Sequence, residues 1–108
     1  MGETWQDFID KIKDDAGILA KDELKKLIAF AVDDSEDFTK KQGQKLESYL
    51  IQLSAGDITK EQFKGYVEDI RDLMEMQMLK LSVAGKASAQ RLFNGICNLV
   101  IDGLIKLL

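Results

Sequence analysis

Leu50-Ile51-Gln52-Leu53-Ser54-Ala55-Gly56-Asp57-Ile58-Thr59-Lys60-Glu61-Gln62-Phe63 holds a helix stop and a helix start side by side. Gly56 stands one step past an apolar-periodic run, where a left-handed residue costs least if it has no Cβ. Three residues on, Thr59 and Gln62 form a capping box: the threonine oxygen accepts an orphan N–H of the first turn, and the glutamine side chain reaches back to the cap. Ile58 and Phe63 fall at the two hydrophobic staple positions of that helix start. A turn at 55–59 therefore joins two helices that pack antiparallel.

Downstream of the turn, Phe63, Tyr66, Val67, Ile70, Leu73, Met74, Met78 and Leu81 make the clearest apolar stripe in the chain, with Glu68, Asp69, Arg71, Asp72 and Glu75 opposite. Met74 and Met78 have core spacing. Met76 and Leu79 fall on the acidic side, which makes them candidates for a partner surface. Residues 82–89 are small and allow either a turn at Gly85-Lys86 or a close helix contact. From Leu92 to Leu108 the chain is apolar around most of its circumference, and Asn94, Asn98, Asp102 and Lys106 recur every fourth residue as a narrow polar ridge. Such a helix needs cover from protein or lipid.

Upstream, Trp5, Phe8, Ile9, Ile12, Ala16 and Leu19 place one amphipathic helix from near Glu3-Thr4, with a break around 16–22 and Asp22 as the next cap. Residues 33–37 read in two ways. Asp33-Asp34-Ser35-Glu36-Asp37 has the composition of a turn and an acidic first helical turn. Yet Leu24, Ile28, Ala31, Ser35, Phe38, Gln42, Leu46, Tyr49 and Leu53 keep a helical spacing across it, and neither glycine nor proline interrupts 22–42. That absence favours one continuous helix of about 30 residues, some 45 Å long.

The 108 residues, 45% hydrophobic and without a single proline, are one domain's worth of an all-α protein. A net charge of −4 argues against nucleic-acid binding, which wants a basic footprint. The charge is uneven: residues 1–37 carry eleven acids against five lysines, while residues 80–108 are net +3. The two ends should attract and favour an N-terminal helix lying beside the C-terminal one, although exposed pairs contribute only ~0.2–1 kcal/mol each. The start is acidic and has no signal-peptide order, and its Met-Gly lacks the Ser or Thr that myristoylation wants at residue 6, where Gln6 stands. A lone Cys97 and a cytoplasmic, reducing compartment go together.

Catalytic and metal chemistry find little support. The Gly56-Asp57-Ile58 turn resembles the second half of an EF-hand loop, but aligning on the glycine puts Ile51, Leu53 and Ala55 where calcium needs oxygens. Glu68, Asp72 and Glu75 share a helix face, yet no histidine exists to complete a di-metal site, and a solvated face laced by Arg71 is the simpler reading. Cys97 has no histidine partner, Ser48, Ser54, Ser82 and Ser88 have no base to activate them beyond lysine, and no phosphate-loop glycine pattern occurs.

The sequence thus predicts an all-α chain, 1–108, folded as an antiparallel long-helix hairpin or a four-helix bundle turned at 55–59. It reads as a non-enzymatic, cofactor-free interaction or structural protein that self-associates, with Met76, Leu79, Leu92, Phe93, Ile96, Val100, Leu104 and Leu107 at the homo-oligomer interface or facing another protein partner. Two alternatives accompany it: a membrane-surface or lipid-binding role for segment 84–108, and carriage of an apolar small molecule.

Overall fold

The computed structural model describes residues 4–108, so the Met1-Gly2 start lies outside the described residues. Five main helices follow in order: α1 Trp5–Lys11, α2 Lys21–Val32, α3 Asp37–Ala55, α4 Lys60–Gln77 and α5 Val83–Gly95. A single 3-10 turn, Met78–Lys80, connects α4 to α5, and α5 runs on through a π-helical segment, Ile96–Leu104, into a final turn, Ile105–Leu107. No strand occurs among the described residues.

The turn at 55–59 forms as its residues require. Gly56 has φ of 79°, its N–H donates to the Leu53 carbonyl, and the Asp57 N–H donates to the Gln52 carbonyl, the paired bonds of a Schellman stop. Thr59 Oγ1 accepts the Gln62 N–H at 3.1 Å, and Gln62 Oε1 accepts the Thr59 N–H at 2.9 Å. A cap of this kind contributes ~0.5–2 kcal/mol. Beyond it, the Tyr49 and Tyr66 rings stack with centroids 4.7 Å apart and tie α3 to α4.

The continuous helix across residues 33–37 does not form, and the long-helix hairpin goes with it. Helix α2 stops at Val32, and the Asp34 carboxylate accepts the Glu36 N–H at 2.8 Å, a local turn that replaces the helical bonds. A 45 Å helix would also exceed the 39 Å longest dimension of the molecule, whose 13.5 Å radius of gyration is near the ~13 Å of a compact chain this long. What favours folding back is space: Gly43 of α3 has no side chain where Ala31 of α2 approaches, so the two backbones meet closely.

Near the N-terminus the helix ends sooner than the stripe predicts. Thr4 and Asp7 make a second capping box, but α1 closes at Lys11, and Ala16 is exposed. Lys21, the first residue of α2, takes part in that closure, because its ammonium donates to the Asp10 and Ile12 carbonyls. Asp22 lies inside the first turn of α2, whose cap position is Ala20. Between the helices, the Asp14 carboxylate accepts the Ile18 and Leu19 N–H groups, both at 2.8 Å, while Gly17 takes φ of 67°.

Those bonds favour the charged form and hold the Asp14 carboxyl below its ordinary value, with the Leu19 N–H the largest cause and the Ile18 N–H next. A depressed folded value means that Asp14 contributes stability above the unfolded carboxylate range, which is lost as pH falls through the folded value. In urea titrations, Asp14→Ala is therefore expected to be less stable than wild type at pH 7, with the gap closing as the pH drops well below 4. A gap that stays constant with pH would rule out this role.

The core gathers the apolar faces of all five helices. Trp5, Ile9, Leu24, Leu27, Ile28, Leu46, Leu50, Phe63, Val67, Ile70 and Met74 are buried together with Leu92, Ile96, Val100 and Leu104. The C-terminal segment thus finds its cover within its own chain. It packs on α3 and α4 and also on α2, where Gly95 leaves room for Leu27 and the Arg91 guanidinium lies 4.0 Å over the Phe30 ring. No turn occurs at Gly85-Lys86. Ser82 caps α5 by accepting the Gly85 N–H, and Gly85 is buried with the Glu36 carboxylate close by.

Candidate functional site

The expected interface residues divide into two groups. Leu92, Ile96, Val100 and Leu104 are 0% exposed and belong to the chain's own core. Met76 and Leu79 stand out at 68% and 81% exposure, while Phe93 and Leu107 are half-buried. Sequence reasoning missed Val83, 87% exposed at the start of α5, because a single valine in a small-residue stretch leaves no periodic signal.

Chain reversal at 78–82 places Leu79 beside Met78 and Phe93. The end of α4 and the first turns of α5 enclose a surface groove of about 340 Å³, lined by Met78, Leu79 and Phe93 with Glu75, Lys86 and Gln90. Leu79 belongs to the 3-10 turn that follows α4, and its side chain is exposed there. The groove has an apolar lining, one carboxylate and one ammonium. Neither charge is in an ion pair or hydrogen bond among the described residues, so both are available to a partner.

The other candidates stay separate. Arg71 binds Asp72 at 3.2 Å and approaches Glu68 at 3.9 Å, the laced solvent face expected of α4. No group of three or more metal-ligating side chains occurs among the described residues. Burial pushes the Cys97 thiol up against an opposing Arg71, with Asp102 and Glu75 adding to the rise, so the thiolate a nucleophile needs is disfavoured. Asn94, Asn98, Asp102 and Lys106 form the exposed ridge that their spacing predicts. No helix among the described residues is long and apolar enough to cross a membrane.

Compared with protein-family models, with curated proteins and with solved structures, the chain matches none.

Proposed function

We propose that this is a non-catalytic helical interaction protein that self-associates through the α4–α5 corner, with a second copy of the chain as its partner. The observation that carries the reading is the groove at this corner, where Leu79, 81% exposed, lies with Met78 and Phe93, while Met76 and Val83 are exposed on the same end of α4 and the start of α5. Large apolar side chains held in water beside a hollow mark an interaction surface rather than a finished one. The choice of a second copy rests on charge. Glu75 and Lys86 both line the groove, so a two-fold axis passing midway between them can set each carboxylate against the other copy's ammonium. This interface is smaller than the eight-residue one expected from sequence, because its aliphatic half is core.

Sedimentation velocity over ~10–300 μM tests it, a range chosen to bracket weak dimers. Wild type is expected to dimerise, and Met76→Glu/Leu79→Glu to be a folded monomer, since changes at exposed sites shift stability by only about ±0.5 kcal/mol. Glu75→Lys alone should weaken the dimer about tenfold or more by facing like charges, and adding Lys86→Glu should restore it. A wild-type chain that stays monomeric throughout, or a charge reversal that the second substitution fails to rescue, would overturn the two-fold arrangement.

A further inference from the structure

At the opposite end of α4 lies a second hollow, of about 280 Å³, lined by Lys60, Glu61, Lys64, Ile105, Lys106 and Leu108. We infer that it binds a phosphate-type oxyanion, carried either by a soluble compound or by a lipid head group. Three exposed lysines line it in a chain that is acidic overall. Lys60 Nζ donates to the Leu108 oxygen at 3.3 Å, whereas Lys64 and Lys106 have no hydrogen bond or ion pair among the described residues. Two uncommitted ammonium groups match the charge of about −1.5 to −2 on a phosphate monoester at neutral pH.

The placement is a product of folding. Lys60 and Lys64 share one face of α4 because they are one turn apart, and Lys106 arrives from the far end of the chain on the final turn. The positive end of the α4 dipole adds to the same potential. Glu61 also lines the hollow and works against an anion, which gives the site an internal control of opposite sign. Ile105 and Leu108 make the remaining wall apolar, so the anion can carry a short hydrocarbon. The volume lies just under the ~300–1,000 Å³ of pockets for drug-sized ligands and suits a head group rather than a whole lipid.

Sodium phosphate is titrated into the full chain and followed by amide NMR, against sodium chloride at matched ionic strength. Phosphate-specific shifts are expected at residues 60–64 and 104–108. Lys64→Gln/Lys106→Gln should weaken binding about tenfold or more, as loss of a charge-assisted hydrogen bond would, and Glu61→Gln should tighten it severalfold. Thermal melts followed by circular dichroism check that the variants are folded. A second arm uses vesicles of phosphatidic acid in phosphatidylcholine against phosphatidylcholine alone. Retention on the first that the double lysine variant abolishes identifies a lipid head group, and phosphate binding without retention identifies a soluble ligand. Shifts that chloride reproduces, or phosphate and vesicle binding that the double variant leaves unchanged, would overturn the site.

Discussion

Phe63→Ala is expected to lose about 3–5 kcal/mol of stability, against the ~5–15 that a domain of this kind has in total. Phe63 is 0% exposed and sits at the fourth position of α4, directly after the Thr59 cap. Its ring therefore couples the helix start to the core, where Leu46, Leu50 and Val67 are equally buried. Truncation removes both the transfer energy of the ring and the contacts of the atoms around the cavity left behind. Phe63→Leu should lose much less, since most of the volume stays. Urea denaturation with an unchanged slope measures both, and a loss under ~1 kcal/mol for Phe63→Ala would mean that the ring is not core.

Two mid-helix glycines should respond to the same substitution with opposite signs. A methyl group at Gly43 would stand 2.5 Å from the Ala31 Cβ and 2.9 Å from the Ala31 carbonyl carbon. The second of these is backbone, so α2 and α3 must move apart, and overpacking of this kind costs ~1–3 kcal/mol or more. Gly65 of α4 has nothing within 4 Å of the equivalent position. There alanine should gain about 0.5–1 kcal/mol by restricting the unfolded chain and favouring helix. Thermal or urea unfolding of the two single variants decides it. Equal shifts in the same direction would show that the α2–α3 approach is looser than described, and Gly43→Val should enlarge the loss.

Local chemistry was readable where all the partners lie within a few residues. Gly56, Thr59 and Gln62 specify their own bonds, so the stop and the start appear where the sequence places them. The Asp33–Asp37 turn was equally local, but the spacing of Leu24, Ile28, Phe38 and Leu46 survives a chain reversal as well as it survives a straight helix. Gly43 decided the matter, and its meaning is the nearness of Ala31, which no spacing encodes. In the C-terminal segment, Leu92, Ile96, Val100 and Leu104 repeat every fourth residue, so in an α-helix each step would drift about 40° around the axis. The wider winding of Ile96–Leu104 opposes that drift over the last two steps, and all four side chains are buried in the core. Read as an ordinary helix, the same residues overflow one face and invite a partner. Of the two surface hollows, Leu79 in the first was legible from the acidic stripe, as was the exposure of Met76. The joining of Lys60 and Lys64 to Lys106 was not, because it depends on where the last turn comes to rest.

Short links between successive helices also bear on how the chain reaches this shape. Residues 33–36, 56–59 and 78–82 are the whole of the three connections from α2 to α5. Most of the search for partners therefore runs between neighbours along the chain, where closing a loop removes little entropy. With no proline among the 108 residues, no peptide bond has to wait for a slow isomerisation. The kinetics this favours are those of quickly formed helical domains, in microseconds to milliseconds rather than seconds. Long-range closure is then left chiefly to seating α5 and its continuation against α2 and α3, where Gly95 meets Leu27 and Arg91 meets Phe30 across more than sixty residues.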